Sequence, residues 1–280
     1  MPRTLKSLKT PLRYPGGKSK AVPKLLQYLP NLFQVKEFRE PFLGGGSVSL
    51  EITKRYPHID IWVNDLYEPL YNFWCELQHN GQELQDALLG IKSIYCNPDA
   101  ARCLFISSKE QINDSDLSNF DRAVAFYIVN KCSFSGLTES SSFSEQASES
   151  NFSINGISRL TEYSEIIERW KITNLSYESM LCDDKNTFIY LDPPYDIKDN
   201  LYGKKGEMHK RFDHDKFAAD CDQHTCPMLI SYNSDQIIRD RFYEWTVGEF
   251  AHTYTMRSVG CYNIDQATRK ELVLTNYEMR

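Results

Sequence analysis

The chain has 280 residues, 41% of them hydrophobic and 13% aromatic, which is enough for a full buried core and too much for a disordered segment. No stretch approaches a membrane span and no apolar signal segment follows the basic N-terminus, so the expected setting is the cytoplasm, away from membranes. Net charge is −6, which excludes a uniformly basic nucleic-acid binder, and the eight cysteines include no C-x-x-C pair, which favours reduced thiols over a disulfide framework.

Charge is unevenly placed. Residues 1–36 carry eight Lys or Arg and no acid, leaving 24 Lys or Arg against 38 Asp or Glu in the rest. A second basic cluster is Lys204, Lys205, Lys210 and Arg211. Local patches of this kind can grip phosphates on a protein that is acidic overall. Cys221, His224 and Cys226 lie close together in a spacing that fits no common zinc site, so no metal is expected.

The first patterned stretch is Arg13-Tyr14-Pro15-Gly16-Gly17-Lys18-Ser19, with a helix expected from Lys18 to about Leu29. It ends like a phosphate-binding P-loop, but Leu12 stands where that motif requires glycine. Tyr14 and Lys18 are instead candidates for contacting a zwitterionic ligand. A strand over 38–42 then leads through Gly44-Gly45-Gly46 to a helix over 47–56, a turn that lets a ligand approach the backbone and the helix N-terminus. Ser49 occupies the third glycine position of a dinucleotide fingerprint. The next strand, 59–65, ends in Asp65, near the offset at which an acid takes ribose hydroxyls. Together these read as a nucleoside pocket.

Residues 66–131 read as helical, and 132–158, rich in Ser and Glu with Phe134, Gly136, Phe143 and Phe152, as a hairpin or extended loop. A helix over 157–170 and a strand over 171–177 follow. Phe188-Ile189-Tyr190-Leu191 is a short buried strand that stops at Asp192-Pro193-Pro194-Tyr195. Two prolines forbid helix and remove two N–H donors, so the backbone leaves the sheet stiff and extended. Beyond come a helix (213–224), a strand (227–232), a helix (235–242) and strands over 246–256 and 271–276. Strands separated by helices, with antiparallel pairing at the end, describe a mainly parallel α/β sheet.

These stretches, taken in order over nearly the whole chain, resemble the DNA adenine methylase family, the amino-methyltransferases of the alpha order. The matching segments are Arg13 to Lys18, Glu40 to Ser47, Asn64-Asp65, Phe134-Ser135-Gly136-Leu137, Asp192 to Tyr195, and Glu271 to Tyr277. The resemblance implies a Rossmann-like mixed-sheet methyltransferase domain (residues 1–66 and 159–280) and a smaller, mainly helical target-recognition subdomain with a hairpin (67–158). It implies S-adenosylmethionine as cofactor, S-adenosylhomocysteine as its product, N6-methyladenine in double-stranded DNA, and a monomer. Tyr14, Lys18, Phe42, Gly44, Asp65, Tyr177 and Asp192 are the implied cofactor residues. A separate restriction endonuclease is a candidate companion, and an orphan or phage setting the alternative.

The residues suit that chemistry. Methyl transfer from a sulfonium is an in-line displacement, which mainly needs positioning and electrostatics. The Asp192 carboxylate and the Pro193 carbonyl can accept both N6 protons of adenine, with Pro194 stiffening the loop and Tyr195 stacking on a base that has left the duplex. Asp before the prolines favours adenine over cytosine N4. Ser133, Ser135 and Thr138 are expected to read the sequence, and Lys204, Lys205, Lys210 and Arg211 to hold phosphates. GATC-specific members carry Arg where this chain has Glu139, and Arg is the usual reader of guanine, so a site other than GATC is expected. The rival readings are a silent DNA-binding relative and a methylase of cytosine N4, RNA or a protein amide.

Overall fold

The computed structural model describes residues 9–14, 16–95, 97–136, 141–195, 212–251 and 270–279. Seven strands form one sheet: β1 (Glu37–Glu40), β2 (Asp60–Asn64), β3 (Lys171–Thr173), β4 (Thr187–Leu191), β5 (Met228–Asn233), β6 (Thr246–Ala251) and β7 (Lys270–Thr275). Their order is β3-β2-β1-β4-β5-β7-β6, parallel except for β7, which runs antiparallel to both its neighbours. Phe38 in β1 is in register with Ile61 of β2 on one side and Phe188 of β4 on the other.

All of β4 is buried, as a parallel strand covered on both faces must be. Its side chains alternate between two cores, because successive residues point to opposite faces. Phe188 and Tyr190 join the core that contains Phe38, Phe73, Trp74 and Phe126. Ile189 and Leu191 join the second, with Phe217, Met228 and Ile230. Shrinking such a side chain, as in Phe188→Ala, costs about 3–5 kcal/mol.

The helices are α1 (Val22–Leu25), α2 (Ser47–Arg55), α3 (Glu68–His79), α4 (Gly81–Ile94), α5 (Pro98–Gln111), α6 (Asn119–Cys132), α7 (Glu145–Ser150), α8 (Ile154–Ile157), α9 (Leu160–Ile167), α10 (His214–Asp222) and α11 (Gln236–Arg241). None is long and apolar enough to cross a membrane. Helices α3 to α9 fill the connection from β2 to β3 and pack on one sheet face, with α6 buried continuously from Ala123 to Cys132.

Three expectations change. The N-terminal helix is a 3-10 turn at Lys18–Lys20 followed by the short α1, since Pro23 has no N–H to continue a helix begun at Lys18. The strand expected over 171–177 ends at Thr173, because the buried Asn64 side chain accepts from Leu175 N (2.7 Å) and donates to Leu175 O (2.9 Å), drawing the chain out of the sheet. Among the described residues of 132–158 an antiparallel bridge joins Ser133 to Phe143, and two short helices follow. Serines that looked like loop composition are their N-caps: Ser144 accepts from Ala147 N and Ser153 from Gly156 N, both at 3.2 Å.

Candidate active site

The sheet order reverses between β1 and β4: the chain winds one way through β2 and β3 and the other way through β4 and β5. Ligands of open α/β sheets bind at such a switch point, beyond the carboxyl ends of the strands. A cavity of about 260 Å³ lies there, lined from the loops after β1 (Glu40 to Val48), β2 (Asn64 to Leu66), β3 (Leu175 to Glu178) and β4 (Asp192, Pro194), with Tyr14, Gly16, Gly17 and Lys18 closing one side.

The glycine turn shapes one wall. Gly44 and Gly46 have φ of 49° and 69°, the left-handed region that other residues avoid. A Cβ on Gly44 would stand 3.0 Å from the Tyr14 ring, and one on Gly46 would stand 2.9 Å from Trp74. Helix α2 starts here, yet its N-terminus is already served. Glu40 Oε2 accepts from Ser49 N at 3.0 Å and from the Ser49 hydroxyl, so an acidic side chain sits where a phosphate would otherwise dock.

Asp65 is fixed by two backbone donors, Gly44 N to Oδ2 (2.9 Å) and Tyr67 N to Oδ1 (3.0 Å). Asn64 beside it donates to Pro41 O (3.1 Å), tying the loops after β1 and β3 together. On the far wall the Phe42 and Tyr177 rings stack at 5.7 Å, with Phe212 edge-on to Phe42 at the same separation. The Tyr177 hydroxyl donates to Asp220 Oδ2 at 2.6 Å. Burial, then that hydrogen bond, holds the phenol pKa above its ordinary value.

At the mouth of β4, Asp192 Oδ1 takes Lys18 Nζ at 2.9 Å and the Ser231 hydroxyl at 3.1 Å. Ser231 is within 2.8 Å of the Tyr190 hydroxyl, which donates to it in turn. Among the described residues no contact takes Oδ2 of Asp192, and the side chain keeps 21% of its surface open. Lys18, 3% exposed, also meets Glu271 Oε1 at 2.7 Å and donates to the Tyr195 hydroxyl. Burial works to lower the Lys18 pKa, but the two carboxylates win and keep it above the usual lysine value.

Ionisable groups on this lining are mostly acids: Glu40, Asp65, Glu178, Asp192 and Asp213 against Lys18 and Lys216. Both lysines are already matched by two carboxylates each, Lys216 by Glu178 (2.7 Å) and Asp220 (2.6 Å). Burial raises Glu40 to about 8, with Asp192 and Asp65 adding to the rise against the Ser49 hydrogen bonds. Burial likewise raises Asp65 and Asp192 to about 6, the second against the pull of Lys18. Among the described residues of its lining, the cavity is short of positive charge.

Of the residues picked out in the sequence, Tyr14, Lys18, Phe42, Gly44, Asp65, Tyr177, Asp192 and Pro194 line this one cavity. Pro193 is buried behind it. Tyr195, expected over a base, has its ring buried beneath Lys18 Nζ (4.7 Å to the centroid) and its hydroxyl on Glu271 (2.7 Å). Ser133, expected at the DNA, is fully buried, and its hydroxyl donates to Asn130 O at 3.2 Å. The side chain of Ser135, together with Thr138, Glu139, Lys204, Lys205, Lys210 and Arg211, falls outside the described residues.

Glu40, Ser231 and Glu271 were not singled out as site residues. Glu40 and Glu271 stand inside matching motifs, whereas Ser231 carries no local signal in a strand of apolar neighbours. A buried lysine beside a half-buried arginine also emerges. Arg13 Nη1 donates to Ser133 O at 2.8 Å, and Lys131, on the buried face of α6, has its pKa lowered to about 8 by burial and then by Arg13. Asn130 accepts from Arg13 N (2.9 Å) and donates to Arg13 O (2.6 Å) and Gly136 O (3.2 Å), so the start of the site is stitched to the 132–143 loop.

The sequence profile of a family described as D12 class N6 adenine-specific DNA methyltransferase matches residues 14–256. A type II methyltransferase, M.MjaIII, from Methanocaldococcus jannaschii is 23% identical over 66% of this chain and 68% of its own length. A DNA adenine methylase from Vibrio cholerae is 27% identical, and the match spans 66% of this chain but only 64% of that protein. Modification methylase StsI from Streptococcus sanguinis is 24% identical over 99% of this chain and 44% of its own. With a cavity at the switch point, an Asp-Pro-Pro-Tyr loop beside it and the family profile spanning most of its length, the chain belongs to the D12 class of N6 adenine-specific DNA methyltransferases.

Proposed function

We propose that this chain transfers a methyl group from S-adenosylmethionine to N6 of an adenine turned out of double-stranded DNA. The observation that carries the reading is the cavity's charge. Among the described lining residues, Asp65, Glu178, Asp192 and Asp213, with Glu40 ionising at about 8, face two lysines that are each already paired twice, so the favoured guest is a cation. A nucleoside bearing a sulfonium and an ammonium meets that demand; a nucleoside triphosphate does not, because Glu40 already holds the α2 N-terminus. The residues fit the cofactor: Asp65 for ribose hydroxyls, Phe42 and Tyr177 for the purine face, and bare backbone at Gly44 and Gly45, where a Cβ would crowd Tyr14. Each oxygen of Asp65 retains a lone pair beyond its backbone contact.

When bound, the cofactor supplies a methyl group activated by positive sulfur. The chain's own residues supply position and a proton acceptor. Asp192 Oδ2, which none of the described contacts takes, is placed to accept one N6 proton, and the Pro193 carbonyl is assigned the other. Hydrogen bonds to both protons push electron density onto nitrogen, and the proton displaced as the N–C bond forms passes to the carboxylate. Tyr195 stacks on the base only by leaving its present contacts with Lys18 and Glu271.

For DNA, the helical insertion (67–158) is taken as the target-recognition part, with Arg13 and Lys131 beside the 132–143 loop. A half-buried arginine and a buried lysine close enough to repel favour an anionic or acceptor-rich partner. Lys204, Lys205, Lys210 and Arg211 are assigned to phosphates and the specificity to a site other than GATC. The type II name of the archaeal relative supports a restriction-modification setting with a separate endonuclease. Mass spectrometry of nucleosides from DNA incubated with protein and cofactor tests the reading. N6-methyladenine supports it; N4-methylcytosine, or no methylated base, overturns it.

A further inference from the structure

We propose that Glu271 is a positioning residue of methyl transfer, holding Lys18 from the side opposite Asp192 and anchoring the Tyr195 hydroxyl, so that it sets how much of the lysine's charge reaches the acceptor carboxylate. The proposal rests on Asp192 being the acceptor of the N6 proton.

Glu271 is fully buried in β7. Carboxylates are kept there only with partners, and an apolar replacement of a buried ion pair is often no less stable, so its presence calls for a reason beyond folding. Two of its contacts are with groups of the site. Lys18 Nζ lies 2.7 Å from Oε1, and the Tyr195 hydroxyl donates to the same oxygen at 2.7 Å. Both partners come from the segments that line or border the cavity, while Glu271 itself does not reach the lining. It therefore acts through Lys18 and Tyr195 and touches no ligand.

A lysine shared by two carboxylates neutralises neither in full. With Glu271 charged, Asp192 keeps more affinity for a proton than it would in an exclusive pair with Lys18. An acceptor for an arriving N6 proton needs that affinity, and a lysine committed to Asp192 alone would suppress it. Among the described residues, the other charged or titratable groups facing Asp192 are Glu40 and Tyr190, alongside Lys18, Glu271 and Tyr195; Glu271 is not among the charges acting on Glu40, and Tyr190, which feels both carboxylates, stays a neutral phenol because burial holds its pKa well above the ordinary value. Anchoring Tyr195 has a second effect. The same glutamate that sets the lysine also holds the aromatic ring behind the carboxylate until a base arrives.

The test is the single-turnover rate of methyl transfer against pH, at saturating S-adenosylmethionine and DNA, for wild type, Glu271→Gln, Glu271→Asp, Lys18→Met and Asp192→Ala. Glu271→Gln should slow transfer by about tenfold or more and move the acid limb about one pH unit lower, with cofactor affinity nearly unchanged. Lys18→Met should move the limb the opposite way. Glu271→Asp, which keeps the charge but shortens its reach, should return the limb to its wild-type position with only part of the rate recovered. A merely structural role would lower the folded fraction without moving the limb. Wild-type rate and limb in Glu271→Gln overturn the proposal. If that variant does not fold, Glu271→Asp decides, with the rate taken per folded enzyme: a slowed rate supports the proposal, and a wild-type rate overturns it. Asp192→Ala at wild-type rate would instead sink the acceptor reading beneath it.

Discussion

The Ser231 hydroxyl and Asp192 Oδ1 stand 3.1 Å apart, on the same carboxylate oxygen that Lys18 holds at 2.9 Å. Two donors on one oxygen fix the carboxylate plane and leave the other oxygen to a guest, an orientation that a lone lysine would leave loose. In-line transfer to a weak nucleophile depends on such placement.

Asp192→Ala should fold and lose methyl transfer by roughly 10²–10³-fold or more, the scale seen when one preorganised polar partner is removed from a transition state. Wild-type activity should fall as pH drops through about 6, since burial raises the Asp192 pKa to that value and only the carboxylate accepts the N6 proton. Single-turnover rates from pH 5 to 8 check the limb.

Asp65→Ala should weaken cofactor binding by about 1.5–3 kcal/mol, the loss of hydrogen bonds to a charged acceptor. Its pKa of about 6 adds that affinity should decline below that pH. Calorimetric titration with S-adenosylhomocysteine and with S-adenosylmethionine separates the ribose contact, common to both, from the charge effect.

Binding of the cationic cofactor should release protons near neutral pH. Glu40, raised to about 8, binds a proton at pH 7 in the free protein, and a positive guest favours the ionised form. Titrations in buffers of different ionisation enthalpy read the number released, and Glu40→Gln should abolish most of it. Net proton uptake would contradict the charge argument for the cavity.

Lys131 predicts a stability effect of definite sign. Its folded pKa is about 8 against an ordinary 10.5, so between those values the unfolded chain binds the proton that the folded chain has shed. Stability from this site therefore rises with pH across that window and is lowest below about 8, where a buried charge must be kept. Urea denaturation at pH 7.5 and 9.5 should show wild type gaining on Lys131→Met at the higher pH. Equal changes in both proteins would show that the lysine keeps its proton.

Much of this molecule was legible in one dimension. The continuous apolar run of β4 announced a strand buried on both faces, and Gly44 and Gly46 announced a turn that other residues cannot make. The carboxylates at the ends of β2 and β4 were readable because strand ends in an α/β sheet are where ligands go. These signals are local: backbone conformation and the period of burial are written in neighbouring residues. What tertiary structure alone decided is how residues 18, 195, 231 and 271 meet around Asp192. No periodicity links a lysine near the N-terminus to a glutamate in the last strand, and β7 reaches β5 only because the sheet closes antiparallel there. The same holds for Ser133, which looked like a surface reader until α6 buried it, and for Tyr195, whose hydroxyl found a carboxylate before its ring could face a base. Local pattern determined which residues could do chemistry; long-range packing determined which atom of each is free to do it.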